Sequence, residues 1–170
     1  MVDNIETLAG EKVFSQANID SAISKWKQDG EKIVFTNGCF DLLHIGHLSY
    51  MLKAASLGTK LVIGLNSDTS VKRLKGESRP INKELSRSLM LASLFFIDAV
   101  AVFEEDTPLE LIRIIKPDVL VKGGDYKIED IVGAKEVLAE GGSVQTIDFV
   151  NGYSSTNLIN KIKENQIGKE

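Results

Sequence analysis

The chain has 170 residues, 43% of them hydrophobic and 26% charged, which is typical of a globular protein with a full-sized core. Its 20 basic and 24 acidic residues give a net charge of −4, which argues against a general electrostatic grip on nucleic acid. The sequence has no apolar run of the ~20 residues that span a bilayer, no signal peptide and one cysteine. We therefore expect a single cytoplasmic domain over residues 1–170, with neither nucleic acid nor membrane as a partner.

The first half of the chain alternates between strand and helix patterns. Residues 1–12 carry little pattern, and we expect them to be loosely ordered. The predicted elements that follow are a helix from Asn18 to a stop at Gly30, a buried strand over residues 32–35, a helix from Leu48 and a strand over residues 60–65. The turn formers at residues 66–68 also suit a helix cap. Residues 71–80 are basic, and we expect them to form a flexible loop.

The second half continues this alternation. Its predicted elements are a helix over residues 83–96, a strand over 99–103, a helix opened by Pro108, a strand over 118–121, a helix over 131–139, a strand over 144–149 and a helix from Ser154. Five strands alternating with helices predict a doubly wound, Rossmann-like α/β fold with a five-stranded parallel sheet. Because ligands bind beyond the carboxyl ends of such strands, the polar segments that follow them predict one site.

The most informative stretch is residues 36–47, which reads TNGCFDLLHIGH and lies where the first strand passes into a helix. Free backbone N–H groups and the positive end of a helix dipole at such a junction suit a phosphate. If helical, His44 and His47 share one face, and Gly46 lets a ligand approach the backbone. This arrangement predicts work on a nucleoside triphosphate. Two histidines at this spacing also occur as capping or core residues, so the motif alone leaves both interpretations open.

Nucleotidyl transfer requires alignment of the reacting phosphates and neutralisation of their charge. His44 and His47 are candidate hydrogen-bond donors, and Gly76 would let a basic loop close over a triphosphate. Candidate cations are Lys72, Arg73, Lys75, Arg79 and Arg87. A solvated loop is the alternative interpretation of the basic run.

Two later segments are candidates for contacts with the nucleotide. In the first, Gly123 and Gly124 would accept a base or ribose, Asp125 a hydroxyl and Tyr126 a ring, although a plain turn also explains the glycines. The second, residues 151–156, opens the last helix with three hydroxyls that suit phosphate binding, capping or both.

Cys39 is best explained as a small packing residue, because no neighbour marks it as a nucleophile. Cys39 and His44 also lack a convincing set of further metal ligands, so we assign no protein ligand to a metal.

Taken together, these segments resemble the cytidylyltransferase-like branch of the HIGH-motif nucleotidyltransferases. In the family's order, the matching segments are residues 38–41, 44–47, 66–68, 123–126 and 152–156. Within that branch the sequence is most similar to the D-glycero-β-D-manno-heptose 1-phosphate adenylyltransferases, the second activity of bifunctional ADP-heptose synthesis proteins. That similarity extends from Lys12 to Lys163 and rests on residues 35–41, 71–76, 79–81, 105–112 and 117–126.

The resemblance implies an enzyme that uses ATP, Mg²⁺ and a sugar 1-phosphate to make ADP-heptose and pyrophosphate for the lipopolysaccharide core. It implies catalytic roles for His44, His47, Lys72 and Lys75. It implies nucleotide contacts for Thr36, Asn37, Gly38, Cys39, Phe40, Gly46, Gly124, Asp125, Tyr126, Tyr153, Ser154, Ser155 and Thr156. Contacts with substrate phosphates are expected from Asp41, Asn66, Asp68, Arg79 and Arg87.

Two positions depart from the family's pattern. Ser155 stands where threonine is usual, which preserves the hydroxyl. Phe149 stands near the place where glycerol- and choline-phosphate relatives have arginine, which argues against a cytidylyltransferase. The fused sugar kinase of many relatives is absent from the sequence, so we expect a separate kinase, and the family makes a homodimer plausible. The alternatives are a glycerol-3-phosphate-type cytidylyltransferase, an adenylyltransferase for another sugar phosphate, and a nucleotide-binding regulatory module without turnover.

Overall fold

The computed structural model describes residues 7, 9–124, 126–148 and 152–167. The strands in this part of the chain are β1 (Val13–Ser15), β2 (Ile33–Gly38), β3 (Lys60–Asn66), β4 (Ala99–Phe103), β5 (Val119–Gly123) and β6 (Ser143–Ile147). All neighbours pair in parallel, in the order β1-β4-β3-β2-β5-β6. The chain moves outward from β2 to β4 and then returns to β5 on the other side of β2. The switch point therefore lies between β2 and β5.

The helices of the described residues are α1 (Ile19–Gln28), α2 (Ile45–Ala55), α3 (Asp68–Lys75), α4 (Glu84–Ala92), α5 (Leu109–Ile115), α6 (Ala134–Ala139) and α7 (Ser155–Ile167), with a 3₁₀ helix at Ile128–Asp130. They cover both faces of the sheet, so the predicted doubly wound α/β fold is confirmed. None of the described helices has the length and apolar character to cross a membrane.

The prediction of five strands was wrong by one, because β1 pairs with the outer edge of β4. Val13, Phe14 and Ser15 oppose Val100, Ala101 and Val102 in that pairing. Three residues are too few to show the alternation by which a strand is recognised in a sequence.

The expectation of a flexible basic loop was also wrong for its first half, which is helix α3. The Ser67 hydroxyl accepts a hydrogen bond of 3.0 Å from the Ser70 amide and so caps the helix, and Ser70 and Val71 are buried. The helix ends at Gly76, whose φ of 96° favours glycine. Three of the predicted mobile cations (Lys72, Arg73 and Lys75) therefore project from a helix.

The core has two layers because β2 alternates its side chains between the faces of the sheet. Ile33 and Phe35 pack in the layer formed by α1, α5 and α6, whereas Val34 packs in the layer formed by α2 and α4. Each fully buried side chain of this kind contributes roughly 1.5–3 kcal/mol of transfer free energy. A Cβ at Gly64 would lie 2.7 Å from the Phe35 ring, so a larger residue would displace that ring. This packing fixes the end of β2, where Asn37 and Gly38 lie at the switch point.

Candidate functional site

A cavity of about 650 Å³ opens at the carboxyl edge of the sheet, around the switch point. This volume is in the range of small-molecule sites. The sequence-predicted residues that line it are Asn37, Gly38, Cys39, Phe40, Asp41, His47, Asn66, Lys75, Arg79, Tyr126, Ser155 and Thr156. Residues from five predicted segments, 36–47, 66–68, 71–80, 123–126 and 151–156, thus meet in one place.

Other predicted site residues lie outside this lining or outside the described residues. Those that do not line the cavity are Thr36, His44, Gly46, Asp68, Lys72, Arg87, Gly124, Tyr153 and Ser154. Thr36 is buried, and its hydroxyl shares a hydrogen bond of 2.5 Å with that of Tyr50. Asp125 and Phe149 fall on residues that the structure does not describe.

The turn after β2 folds the Phe40 ring back over Gly38. A Cβ at Gly38 would lie 3.0 Å from that ring, which explains the glycine at this position. Phe40 has a φ of 43°, a left-handed conformation that costs a non-glycine residue about 1–3 kcal/mol. Its ring is 5% exposed and meets the His47 ring edge-on, with 5.3 Å between centroids. The strained turn therefore fixes the orientation of His47.

The two histidine rings stack with centroids 3.8 Å apart and an angle of 21° between their planes. His44 is the N-cap of α2 with extended backbone angles, and His47 lies in the first turn. Both Nδ1 atoms are buried without a hydrogen-bond partner among the described residues. The hydrogen-bonding capacity of these two nitrogens is therefore not satisfied within the described part of the chain.

Both imidazoles are held in the neutral form. Burial lowers the pKa of His44, and it lowers the pKa of His47 to about 4. For His47 the charge of a protonated His44 adds to the lowering, while the Leu42 carbonyl opposes it. Near pH 7 each ring is therefore an uncharged donor and acceptor of hydrogen bonds.

Asp41 anchors the loop that follows α3. Its carboxylate accepts hydrogen bonds from the backbone N–H groups of Ile81 and Asn82, each at 2.8 Å, and from Nε of Arg79 at 2.5 Å. Burial by itself would raise the pKa of Asp41, but the Asn82, Ile81 and Arg79 hydrogen bonds outweigh it and lower the pKa below its usual value. Asp41 therefore stays ionised and holds Arg79 at the cavity.

Arg87 makes a second buried network. Its side chain is 0% exposed and donates to the carbonyls of Cys39 and Asn66 at 2.8 Å, to the Asn82 carbonyl at 3.0 Å and to the Asp68 carboxylate at 2.8 Å. These oxygens belong to three segments that border the cavity. Arg87 thus joins the turn after β2, the end of β3 and the loop before α4.

The cations of α3 differ in their surroundings. Lys75 is exposed and lines the cavity, whereas Lys72 lies 3.9 Å from Glu77 and outside the lining. Arg73 turns away and pairs with the Asp106 carboxylate at 2.7 Å, with a further hydrogen bond to the Glu104 carbonyl. Of the two predicted loop lysines, the structure brings only Lys75 to the cavity.

The first residues of α7 form another wall of the cavity. Ser155 donates to the Leu42 carbonyl at 3.1 Å, which ties α7 to the turn before α2. Ser154 caps the helix by accepting a hydrogen bond of 3.0 Å from the Asn157 amide. A Cβ at Gly46 would lie 3.0 Å from the His44 ring and 3.3 Å from Cβ of Tyr153, so this glycine permits the close approach of the two helices.

Sequence reasoning missed several residues of the lining. The loop after β4 contributes Asp106, Thr107 and Pro108, and the segment near the 3₁₀ helix contributes Asp130, Ile131 and Val132. Lys122, at the end of β5, also lines the cavity. The position of these residues after strands could have indicated that they belong to the site. The residue types in the two loops, however, do not indicate a particular chemistry.

The described residues contain no group of three or more His, Cys, Asp or Glu side chains arranged to hold a metal ion. The acidic residues of the lining are already used in part: Asp41 binds its loop, and Asp106 pairs with Arg73. Among the described residues we therefore assign no ligand to a metal.

Comparison with known proteins agrees with this architecture. Residues 35–161 match the family model described as cytidylyltransferase-like. The bifunctional protein HldE of Haemophilus influenzae (strain PittEE) is 56% identical over 151 residues, which are 89% of this chain and 32% of that protein. HldE of Campylobacter jejuni (strain RM1221) is 53% identical over 147 residues, 86% of this chain and 31% of that protein. The chain thus spans about a third of the length of these curated relatives.

Two solved structures share the fold. The lipopolysaccharide core biosynthesis protein from Thermoplasma volcanium GSS1 is 27% identical with a TM-score of 0.58, covering 74% of this chain and 100% of that chain. Pantoate-β-alanine ligase from Francisella tularensis, crystallised with β-γ ATP and β-alanine, is 18% identical with a TM-score of 0.60, covering 89% of this chain and 77% of that chain. The second likeness concerns the fold alone.

Proposed function

The chain belongs to the cytidylyltransferase-like family, and within it we propose that the protein transfers AMP from ATP to D-glycero-β-D-manno-heptose 1-phosphate, giving ADP-heptose and pyrophosphate. Support comes from the similarity to HldE and from the heptose-type segments of the sequence. The observation that carries the proposal is the meeting of His47, Lys75 and Arg79 in one cavity, beside imidazole nitrogens without partners.

In this reaction an oxygen of the sugar phosphate forms a bond to the α-phosphorus of ATP. The bond from that phosphorus to the bridging oxygen breaks, and pyrophosphate leaves with the electron pair. Negative charge grows on the equatorial oxygens as this happens. We propose that the neutral His47 imidazole hydrogen-bonds one of them, and the N–H groups that open α2 provide further donors. The protein thus stabilises the transition state without exchanging a proton.

We assign the ATP phosphates to the basic side chains beside α3. Lys75 projects into the cavity from an exposed helix end, so it can follow the phosphates as they move. Arg79 has its Nε on Asp41, which leaves its terminal nitrogens for a phosphate. Lys72 has a subordinate role in this proposal because it lies outside the lining.

The nucleoside is assigned to the walls formed by the turn after β2 and by α7. Gly38 and Phe40 offer a flat backbone and a ring for the ribose and base, Tyr126 offers a second ring from the segment after β5, and the Thr156 hydroxyl lies at the start of α7. Asn37, Cys39, Gly46, Gly124, Asp125, Tyr153, Ser154 and Ser155 remain proposed nucleotide neighbours by family resemblance.

Four residues expected to touch substrate are proposed to act by holding the site instead. Thr36 and Arg87 are buried with their polar groups engaged in the fold. Asp68 binds Arg87, and Asp41 binds the loop of Arg79. We propose that these residues position the phosphate-binding groups, while Asn66 contributes from the lining.

ATP chemistry of this type employs a divalent cation, and we propose Mg²⁺, which neutralises phosphate charge when it is bound with ATP. We further propose a cytoplasmic location, where ATP is available, a sugar kinase as the source of the 1-phosphate, and a place in lipopolysaccharide-core precursor synthesis. A homodimer stays a prediction.

The test is pyrophosphate release in the presence of Mg²⁺, with ATP and CTP each crossed against the β-heptose 1-phosphate, hexose 1-phosphates and glycerol 3-phosphate. We expect release with ATP and the heptose 1-phosphate alone. Pyrophosphate release with CTP and glycerol 3-phosphate would mean that both proposed substrates are wrong. Tight ATP binding without release from any pair would indicate a regulatory module.

A further inference from the structure

Lys122 is the penultimate residue of β5 and contributes a positive charge to the cavity that the reaction described above does not use. Its Nζ is 3.4 Å from Oδ1 of Asn37 and 6.0 Å from the centroid of the Tyr126 ring. Both of these neighbours are uncharged. Within the described residues Lys122 forms no ion pair with a carboxylate.

Three basic side chains of the described residues line the cavity, and the other two have their charge satisfied. Arg79 is paired with Asp41, and Lys75 is exposed to water. Lys122 is half-buried, and burial lowers the pKa of its ammonium. A half-buried cation without an acidic partner is costly to the fold. An anionic ligand in the cavity would remove that cost.

The strand order indicates which of the reacting phosphate groups would be the anion beside Lys122. Lys75 and Arg79 follow β3, whereas Lys122 lies near the end of β5, and these two strands flank β2 on opposite sides. His47 follows β2 and so lies between the two groups of cations. In-line displacement places the attacking oxygen and the leaving oxygen on opposite sides of the phosphorus. If Lys75 and Arg79 hold the leaving pyrophosphate, the attacking phosphate lies on the side of Lys122.

We propose that Lys122 binds the phosphate group of the acceptor, the nucleophile of the transfer. This inference rests on the proposed function. Lys122 holds the phosphate through a charge-assisted hydrogen bond, with Asn37 orienting the ammonium from the neighbouring strand. No proton moves, because the acceptor phosphate is already ionised when it attacks.

The kinetic test compares Lys122→Met, Lys122→Arg and the control Lys127→Met, which changes an exposed lysine outside the cavity lining. Lys122→Met should raise KM for the sugar 1-phosphate about 10- to 100-fold, the worth of one hydrogen bond to a charged group. KM for ATP should stay within about twofold, Lys122→Arg should recover part of the loss, and Lys127→Met should match the unchanged protein. A rise in KM for ATP alone would assign Lys122 to ATP, and unchanged constants would remove it from the site.

A second measurement, the melting temperature, does not depend on catalytic turnover. Lys122→Met should raise the melting temperature of the ligand-free protein, since it removes an unpaired half-buried charge. Inorganic phosphate should raise the melting temperature of the unchanged protein more than that of Lys122→Met, at matched ionic strength with chloride. A lower melting temperature in Lys122→Met with an equal phosphate effect would show a structural lysine and overturn the inference.

The two readouts separate the inference from the proposed function. If no acceptor supports pyrophosphate release but the phosphate effect depends on Lys122, the anion site stands and the proposed reaction fails. If the heptose 1-phosphate reacts and Lys122→Met leaves its KM unchanged, the reaction stands and the inference fails.

Discussion

Arg87 and Arg73 lie on either side of the same loop, and they show how burial decides what an arginine does. Arg87 is completely buried and donates to four oxygens of the fold. Arg73 is on the exposed face of α3, and its side chain is 43% exposed while it pairs with Asp106. Both side chains end in a guanidinium group. Arg87 fixes the shape of the cavity, and Arg73 joins two surface segments.

The same contrast between buried and exposed groups distinguishes two walls of the cavity, the one after β2 and the one formed by α3. The wall after β2 has a strained Phe40, a buried Asp41 and imidazoles that stay neutral, all held by hydrogen bonds or packing. The α3 wall carries exposed basic side chains. We infer that the first wall is preorganised for the transition state, whereas the second binds mobile phosphates in the ground state.

The largest effect is expected from Arg87→Met. It leaves the Asp68 carboxylate and three carbonyls without their donor, so the free energy of unfolding should fall by about 3–5 kcal/mol. Urea denaturation measures this loss. The matched control, Arg73→Met, should cost less than about 1 kcal/mol because its ion pair is exposed. Equal stabilities of the two variants, with ATP binding lost in Arg87→Met, would instead identify Arg87 as a substrate ligand.

The next largest effect is expected from His47→Ala. Loss of one donor to the transition state should lower kcat about 100- to 1,000-fold with little change in KM for ATP. Steady-state kinetics separates the two constants. His44→Ala should lose less activity, because His44 supports His47 by stacking and lies outside the cavity lining. A proportional loss of ATP binding and turnover in His47→Ala would contradict a role at the transition state.

A smaller effect is expected from Lys75→Met, with Lys72→Met as its control. Lys75 lines the cavity, so its loss should raise KM for ATP about tenfold, the worth of a hydrogen bond to a charged group. Lys72 lies beside Glu77, and its loss should change KM by less than about threefold. The opposite ranking in initial-rate measurements would mean that α3 rotates when ATP binds.

Local patterns were sufficient to predict the long strands and the doubly wound fold, though not the order of the strands, because a buried strand such as β3 has a continuous apolar run. The short β1 and the helix α3 were not predicted. The first has too few residues to show a period, and the second is stabilised by the Ser67 cap and by burial of Ser70 and Val71 against the rest of the molecule.

The candidate site shows the same division. The segment with His47, Phe40 and Gly38 was predicted because its residue types indicate a chemistry at a strand end. The surroundings of Arg87 and Lys122 depend on contacts between distant segments, such as the 48 positions that separate Arg87 from Cys39. Sequence alone identified Arg87 as a candidate cation without showing that it is buried, and it did not single out Lys122.

Labelled ATP shows directly whether the acceptor attacks the α-phosphorus of ATP. The protein is incubated with the β-heptose 1-phosphate, Mg²⁺ and ATP labelled at either the α- or the γ-phosphate, and the products are separated. We expect the α-label to appear in the sugar nucleotide and the γ-label in pyrophosphate. Transfer of γ-label to the sugar, or retention of both labels in ATP despite tight binding, would contradict it.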